Sequence, residues 1–434
     1  MTGPTALPEA ALLTDRLKFA HLEITSKCNL RCTYCAVSQP DYRGYDLGTG
    51  TVDQILDDLE LLGVETVCLN GHGETTFHKD WAVIFKKVLG RFPRTELTTN
   101  LAVDYTDEEI DLLAQIDIIT VSIDTHDPIL LEETRRKVSL GTILSNMARL
   151  RRASVKHGKR GFPLGQPTTS PAGIVKAGGY QLIPHFRFSC VVHDKNIETL
   201  LEFAKFAIDQ DVKFVVFCNM TKYDDIPGVV NVRPVTDLET VEELTAAKNN
   251  LVMAAAILKC SNIRVDSPDG LLAALDARIA APTHTVGATM ASAPFGSGIC
   301  ARRNFRKKTS GETRDCLDPW QFSIVYATGK VAPCCWQPPL HSLKKGESLS
   351  DVINSEKFMQ LRKQLFTGRL NKFCKTCPAR GLIPTAELQE KVLTRDAVDQ
   401  ANAQAVQREL ARQEDSLLQE LKEGVRQAMA TSKE

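Results

Sequence analysis

In the stretch Cys28-Asn-Leu-Arg-Cys32-Thr-Tyr-Cys35, three cysteines closely follow the short apolar run His21-Leu-Glu-Ile-Thr25. Three thiolates are one fewer than the four that saturate a cubane iron–sulfur cluster, so the fourth iron stays open to a substrate or cofactor. The chain has 13 cysteines in 434 residues, which makes coincidence a poor account of this spacing. We therefore interpret the three cysteines as ligands of a reactive cluster.

Composition predicts a folded cytoplasmic protein of two or three domains. The 434 residues exceed one ordinary core, and 43% of them are hydrophobic. The formal net charge of zero gives no argument for nucleic-acid or membrane binding, and neither partner is expected. The N-terminus lacks a signal-peptide pattern, and no apolar run is long enough to span a bilayer. The clustered, odd-numbered cysteines favour metal ligation in a reducing compartment over disulfides.

Short apolar runs alternate with segments of helical period, which is typical of parallel β/α units. Strands are predicted at Leu22–Thr25, Val64–Leu69, Glu96–Thr99, Ile118–Ile123, Phe186–Val192 and Lys213–Cys218. Helices are predicted at Val52–Leu62, Trp81–Leu89, Glu108–Ala114, Ile143–Leu150 and Thr199–Ile208, the first with Thr51 as N-cap and Gly63 as its stop. Six strands indicate an α/β fold with an open (β/α)6 barrel, in which the loops after the strands build the active site.

The cysteine triplet after the first strand resembles the motif of radical S-adenosylmethionine enzymes, which share a partial, TIM-like (β/α)6 barrel. The resemblance implies a 4Fe-4S cluster on Cys28, Cys32 and Cys35, with S-adenosylmethionine bound at its open iron. It also implies a flavodoxin- or ferredoxin-type electron donor. The cluster and the cofactor would do the chemistry, while the protein orients them.

The loop after the second strand, Asn70-Gly-His-Gly-Glu-Thr-Thr76, resembles the family's Gly-Gly-Glu-Pro segment with a histidine in place of the first glycine. Gly73 would let the backbone approach the ligand, and Glu74 would accept hydrogen bonds from the cationic amine of the cofactor. Without that resemblance, a glycine-containing turn between strand and helix is an ordinary structural feature.

Four further residues are cofactor-binding candidates by the same resemblance. Asn100 ends the third strand, where Leu101 replaces the usual glycine, and Ser122 ends the fourth strand. Arg136, in the segment Glu133–Ser139, is the candidate partner of the cofactor carboxylate; the alternative is an exposed helix arginine. Tyr34 would lie against the adenine ring, although ordinary packing is the alternative.

A second set of cysteines lies in the C-terminal half. Cys316 and Cys334 flank a predicted hairpin with a turn at Gly329, and Cys374 and Cys377 form a C-x2-C knuckle. Four thiolates close a metal site without a vacancy, and spacing alone would equally suit a structural zinc ion. The set resembles the SPASM domain, and more closely its shortened twitch form, because no cysteine follows Cys377. This implies one auxiliary 4Fe-4S cluster, in which Cys335 or Cys300 could substitute as a ligand.

The predicted activity is the reductive cleavage of S-adenosylmethionine to a 5′-deoxyadenosyl radical that removes hydrogen from a small polar metabolite: a sugar, aminocyclitol or nucleotide. The auxiliary cluster would then accept an electron, which makes the reaction a dehydrogenation. A radical epimerase, with Cys300 as hydrogen donor, and a peptide maturase are alternatives. The barrel begins by residue 20, which leaves little room for a leader-recognition module at the N-terminus. Two further alternatives are not enzymes: an iron–sulfur electron carrier and a zinc-stabilised interaction protein. Neither of them would need an open iron.

The predicted domains are an N-terminal extension at 1–17, the barrel at 18–280, the auxiliary domain at 281–384, and a tail at 385–434. Residues 153–182 are rich in Gly, Pro and Lys and are interpreted as a loop or lid insertion. The basic run 301–308 would receive a phosphate or form a solvated loop. The tail is polar with good helix formers, as expected of exposed helices or a partly disordered segment.

Overall fold

The computed structural model describes residues 8–157, 185–266 except 222 and 224, 268–280, and 308–397 except 378. The strands are β1 (Phe19–Leu22), β2 (Thr66–Leu69), β3 (Arg94–Thr99), β4 (Ile118–Ser122), β5 (His185–Val192), β6 (Phe214–Asn219), β7 (Arg264–Asp266), β8 (Glu312–Arg314), β9 (Phe322–Val325), β10 (Lys330–Ala332), β11 (His341–Ser342) and β12 (Leu382–Pro384). Cys300, most of the insertion and most of the basic run lie outside the described residues.

The helices that connect and follow these strands are α1 (Thr49–Leu61), α2 (Trp81–Val88), α3 (Asp107–Leu113), α4 (Pro128–Arg135), α5 (Leu140–His157), α6 (Leu200–Asp209), α7 (Val241–Cys260), α8 (Pro268–Ala280), α9 (Asp318–Gln321), α10 (Leu349–Ile353), α11 (Glu356–Phe366) and α12 (Lys372–Lys375). Residues 385–397 are also helical. No helix in these described ranges is long and apolar enough to cross a membrane.

Ten strands form one sheet in the order β11-β10-β9-β1-β2-β3-β4-β5-β6-β7. The pairs from β9 to β7 are parallel, and β10 and β11 add an antiparallel edge. Alternate residues such as Val67, Leu97 and Val121 pack with the helices in one large core. The chain thus forms the expected α/β partial barrel, with its loops after the strands at one rim.

The opposite face of the sheet, here called the inner face, is largely polar in β2 to β6. It carries Cys68, Glu96, Thr98, Thr120, Arg187, Ser189 and Cys218, none of which belongs to the helix-packed core. Near β1 and β9 the inner face is apolar, with Phe322, Ile324 and Tyr326 forming a separate cluster. Since parallel sheets usually bury apolar side chains on both faces, a polar inner face is a sign of ligand binding.

All six predicted strands are present, with shifted ends. The largest shift is at β1, which begins and ends three residues earlier than predicted. The apolar run continues past the strand because Ile24 stays buried after the chain has left the sheet, where its carbonyl accepts the amide of Leu47 at 2.8 Å. A hydrophobic pattern in the sequence reports which residues are buried. Here the buried residues continue past the last residue that pairs in the strand.

The sequence analysis did not find β7 or the helices α4, α7 and α8. β7 has only three residues, two of them charged, so period 2 gives no signal there. α4 is signalled by capping and not by periodicity: Asp127 accepts the amides of Ile129 and Leu130, and Pro128 occupies the first turn.

The predicted hairpin is β9 and β10, turning at Gly329, whose φ is +73°. β9 pairs in parallel with β1, which the sequence analysis did not anticipate, so the auxiliary region extends the barrel sheet. The helix at 385–397 is not wholly exposed, because Leu388 and Val392 are buried in a second core with Trp320.

Candidate functional site

The first cysteine loop lies at the carboxyl end of β1. Cys28, Cys32 and Cys35 are half-buried and form no disulfide. Burial raises the pKa of the Cys28 thiol to about 12 and also raises those of Cys32 and Cys35. Thiols in such a setting become thiolates only when a cation replaces their protons, which suits a metal site.

No three Cys, His, Asp or Glu side chains among the described residues converge tightly enough to chelate a single metal ion. Thiolates that share one zinc ion each lie about 2.3 Å from it, whereas the thiolates of a cubane cluster bind separate irons.

Gly73 holds the loop after β2 against the segment that precedes the cysteines. A Cβ at Gly73 would lie 2.4 Å from the Lys27 carbonyl oxygen and 2.5 Å from that of Thr25. The next amide, of Glu74, donates to the Lys27 carbonyl at 2.8 Å. Only glycine permits this approach, so Gly73 positions the cysteine loop as well as any ligand.

Replacing Gly73 by alanine should separate the two loops and lower both the iron content and the affinity for S-adenosylmethionine. Backbone atoms cannot give way as a side chain does, so we expect the free energy of unfolding to fall by about 1–3 kcal/mol. Iron analysis, equilibrium binding and urea denaturation under anaerobic conditions measure these effects. Gly50→Ala is the control, because a Cβ there meets nothing within 4 Å. Normal cofactor affinity in G73A would show that the close approach is dispensable.

Glu74 was predicted to accept hydrogen bonds from the cofactor amine. It is buried, and its Oε1 accepts the hydroxyls of Thr99 at 2.8 Å and Thr76 at 2.9 Å, while Oε2 accepts the Asn100 amide at 2.7 Å. Burial raises the pKa of the Glu74 carboxyl, and these hydrogen bonds oppose the rise. The carboxylate therefore ties the loops after β2 and β3 together, and Oε2, with one hydrogen bond, keeps acceptor capacity, so the predicted contact with the cofactor amine stays a prediction.

Asn100 lies beside the cysteine loop. The side-chain amide nitrogen of Asn100 donates to the Asn29 side-chain oxygen at 2.8 Å and lies 3.8 Å from the Cys28 sulfur. Leu101, at the position of the family's usual glycine, has a φ of +52° and is fully buried. The left-handed backbone that glycine would adopt freely is therefore kept here by packing and by the Leu101 amide bonded to Thr99 at 2.9 Å.

A buried cluster of Tyr34, Asp124 and Arg135 anchors the cysteine loop to the rest of the barrel. Arg135 Nε and Nη2 each donate to the fully buried Asp124 carboxylate at 2.8 Å. The Tyr34 hydroxyl donates to the same carboxylate, and the Arg135 guanidinium lies 5.9 Å from the Tyr34 ring centroid. The Asp124 carboxylate also accepts the Val191 amide at 2.9 Å, so β4, β5, α4 and the cysteine loop meet at this ion pair.

Arg135→Gln should destabilise the protein by about 3–5 kcal/mol, because it leaves the Asp124 charge buried without its partner. The measurement is anaerobic urea denaturation of the reconstituted protein. Arg16→Gln is the control: its ion pair with Glu65 is 3.4 Å long and about half exposed, and we expect an effect within about 1 kcal/mol. Equal effects of the two substitutions would contradict the anchoring role of the buried pair.

Ser122 and Arg136 make no side-chain hydrogen bond within the described residues, and their roles in cofactor binding stay predictions. Ser122 is half-buried at the end of β4. Arg136 caps α4, and both it and Lys137 have positive φ, +49° and +64°. Strained backbone at two successive non-glycine residues is typical of ligand sites. Arg136 therefore has donors available for a carboxylate, whereas Arg135 is committed to Asp124.

Sequence reasoning missed Glu23, which joins three parts of the molecule. It is buried; Oε1 accepts the His72 amide at 2.7 Å and Oε2 accepts the Ala327 amide at 2.9 Å. The first contact fixes the loop after β2 and the second fixes the hairpin turn of the auxiliary region. The available signal was a carboxylate inside the apolar run at residues 21–25.

The second set of cysteines lines one cavity of about 450 Å³, counting its open mouth. Cys316, Cys334, Cys374 and Cys377 all face it, as does Cys335. Burial raises the pKa of the Cys374 thiol to about 11 and raises those of the other three predicted ligands. A cavity walled by the predicted donor set fits an iron–sulfur cluster.

Polar groups in this cavity point at sulfur. The Gln337 side-chain amide donates to the Cys374 sulfur at 3.2 Å, and the Gln337 backbone amide donates to the Cys334 sulfur at 3.4 Å. Arg314 donates to the carbonyls of Cys374 and Arg380, which fixes the C-x2-C knuckle. These donors and guanidinium charges stabilise negative charge on the four sulfurs.

The two cysteine sets lie at opposite ends of the barrel strands. Cys28 follows β1 at its carboxyl end, whereas Cys334 follows the antiparallel β10 and lies at the amino end of β1 and β9. The four residues of β1 span roughly 13 Å at about 3.3 Å per residue. The inner face therefore lies between the two sets.

Comparisons with known proteins agree with this architecture. The family model of the Radical SAM superfamily matches residues 22–176, and that of the SPASM iron–sulfur cluster-binding domain matches residues 316–378. The chain is 31% identical over 134 residues to the tungsten-containing aldehyde ferredoxin oxidoreductase cofactor-modifying protein of Pyrococcus furiosus, covering 30% of this chain and 36% of that protein. It is 29% identical over 155 residues to the GTP 3′,8-cyclase of Synechocystis sp., covering 33% and 45%.

The chain thus spans less than half the length of the curated relatives that it matches. Among solved structures, Streptococcus suis SuiB bound to S-adenosylmethionine is similar, with 15% identity, a TM-score of 0.51, and coverage of 81% of this chain and 68% of that one. That likeness concerns the fold. The cofactors that the two matched domains use are S-adenosylmethionine and iron–sulfur clusters. The chain therefore carries a radical S-adenosylmethionine domain, matched at residues 22–176, and a C-terminal SPASM-type iron–sulfur cluster-binding domain, matched at residues 316–378.

Proposed function

We propose that the protein dehydrogenates a small polar metabolite bound at the inner face. Cys28, Cys32 and Cys35 would hold one 4Fe-4S cluster, and Cys316, Cys334, Cys374 and Cys377 the other. When bound, the first cluster supplies the electron that splits S-adenosylmethionine into methionine and a 5′-deoxyadenosyl radical. The observation that carries the proposal is the placement of the two cysteine sets at opposite ends of the same strands.

The residues around the first set would bind and orient the cofactor. Arg136 would pair with its carboxylate through a charge-assisted bond. Ser122 and Asn100 would form hydrogen bonds with the hydroxyl and amine groups of the cofactor, and Tyr34 would lie beside its adenine ring. Gly73 and Glu74 would keep the loops in register.

The polarity of the inner face supports a small hydroxylated or charged substrate. Thr98, Thr120 and Ser189 present hydroxyls there, between the two cysteine sets. Cys68 and Cys218 also lie on this face and are buried, whereas Cys190 packs in the helix-side core. These groups bond to one another, Ser189 with Cys218 and Thr120 with Arg187, and a polar substrate would add hydrogen bonds that an apolar one could not.

The surroundings of the second set support electron acceptance. Removing one hydrogen atom, one proton and one electron from a carbon that bears a hydroxyl or amine completes a two-electron oxidation. Gln337 and the guanidinium of Arg314 favour the more negative, reduced state of a four-thiolate cluster, whereas the charge of Arg380 is offset by its ion pair with Asp318. An epimerase needs no such acceptor.

A SuiB structure contains its precursor peptide SuiA, so peptide modification is the second candidate.

The test is anaerobic reconstitution followed by dithionite and S-adenosylmethionine. We expect about eight irons per chain, from two 4Fe-4S clusters, and formation of 5′-deoxyadenosine. Deuterium transfer into 5′-deoxyadenosine from a panel of labelled sugars, aminocyclitols and nucleotides would then identify the substrate. A flavodoxin or ferredoxin should replace dithionite. Zinc without cofactor cleavage would overturn the proposal in favour of an interaction module.

A further inference from the structure

Arg187 is a cation on the inner face of the sheet. In β5 its neighbours Phe186 and Phe188 pack in the helix-side core, so the intervening Arg187 points the other way. In register it lies between Thr120 of β4 and Phe214 of β6. Its side chain is 21% exposed, which leaves it reachable from the barrel interior.

The charge of Arg187 is incompletely compensated. Its Nη1 lies 3.5 Å from Glu96 Oε2 and 3.4 Å from the Thr120 hydroxyl, both at the long limit of such contacts. The other oxygen of Glu96 is taken by Arg94 at 2.8 Å. Glu96 thus makes its short contact with Arg94 and only a long one with Arg187.

The acidic residue of the edge strand does not contact Arg187, since Asp266 in β7 is paired with Arg264 at 3.0 Å.

Arg187 also has hydrogen-bond donors to spare. Its Nε is buried without a hydrogen-bond partner among the described residues, and Nη2 makes no hydrogen bond to any of them. The Phe214 ring lies 5.3 Å from the guanidinium carbon and so supports its flat face. By contrast, Arg135 uses two nitrogens on one carboxylate. A braced guanidinium with free donors is suited to an oxyanion.

We propose that Arg187 binds an oxyanion of the substrate, a carboxylate or a phosphate. This rests on the proposed function, because it takes the inner face as the substrate site. The substrate class is thereby narrowed from small polar metabolites to anionic ones, such as sugar acids, sugar phosphates and nucleotides.

The first test is chemical modification of the anaerobically reconstituted enzyme by phenylglyoxal, with peptide mass spectrometry at each arginine. Inorganic phosphate should slow the modification of Arg187 several-fold. Arg264 is the control: it is 56% exposed and lies against the same Phe214 ring, 6.0 Å from its centroid, but it is paired with Asp266. Absent or equal protection of the two arginines would overturn the proposal. Protection by S-adenosylmethionine alone would assign Arg187 to the cofactor carboxylate and would also overturn it.

The second test uses matched deuterated pairs, each a neutral compound and its phosphate or carboxylate. Only the anionic member should transfer deuterium. Arg187→Met should raise its KM at least tenfold with a smaller change in kcat, Arg187→Lys should restore part of the affinity, and Arg264→Met should change neither. Efficient transfer from the neutral member would refute the proposal. Formation of 5′-deoxyadenosine in the same samples reports the proposed function separately, so the two failures are distinguishable.

Discussion

Replacing Cys32 by alanine should abolish formation of 5′-deoxyadenosine from S-adenosylmethionine. Two thiolates cannot retain a cubane cluster whose fourth iron is already open, so the whole cluster should be lost. The iron content should fall from about eight to about four per chain, with the auxiliary cluster remaining. Iron analysis and product analysis by chromatography after dithionite reduction measure both changes.

Cys260→Ala is the matched control for this experiment. Cys260 is an exposed cysteine at the end of α7, far in the chain from either cysteine set. Its loss should leave iron content and cofactor cleavage unchanged. Wild-type cleavage by C32A would show that Cys32 is not a ligand, and the assignment of the open cluster to the loop after β1 would fail.

The parts of the site that sequence predicted are those carried by local spacing. The cysteine triplet, Gly73 and the C-x2-C knuckle are short motifs whose members meet wherever the chain folds. The barrel strands were found for a related reason, because β2 to β6 are buried runs of four to eight residues bounded by turns or helices.

The parts that sequence did not predict depend on contacts between distant residues. The carboxylate of Glu23 accepts the amide of Ala327, 304 residues away, and no local pattern announces such a pair. Arg135 and Asp124 are only 11 residues apart, but the helix that joins them, α4, is marked by capping and not by periodicity. The sequence therefore favoured Arg136 as the partner of the cofactor carboxylate, but it did not show that the neighbouring Arg135 is paired with Asp124.

The pairing of β9 with the barrel sheet was not predicted for the same reason, because it also joins residues that are distant in the chain. Its four residues are fully buried on both faces, which predicts a strand but not its partner. Its partner β1 is distant in the chain, since Phe322 pairs with Phe19, and no local pattern announces such a pairing. This pairing matters for function, because it places the second cysteine set at the opposite end of the strands from the first.

Replacing Cys374 and Cys377 together by alanine should separate cofactor cleavage from substrate oxidation. The variant should lose about four of about eight irons, because the knuckle supplies two of the four auxiliary ligands. Cofactor cleavage should continue, since the open cluster lies at the other end of β1. The oxidised product should be absent, because the electron left on the substrate has no acceptor. Iron analysis, electron paramagnetic resonance and product analysis measure the three effects.

Cys335→Ala is the sharper control for the auxiliary cluster, because Cys335 lines the same cavity but is not one of the four assigned ligands. It should keep both clusters and form normal product. Loss of the auxiliary cluster in C335A, with retention in a Cys334→Ala variant, would exchange the roles of these adjacent residues. Oxidised product from the Cys374 and Cys377 double variant would instead show that the electron leaves by another route, and the dehydrogenase proposal would lose its physical basis.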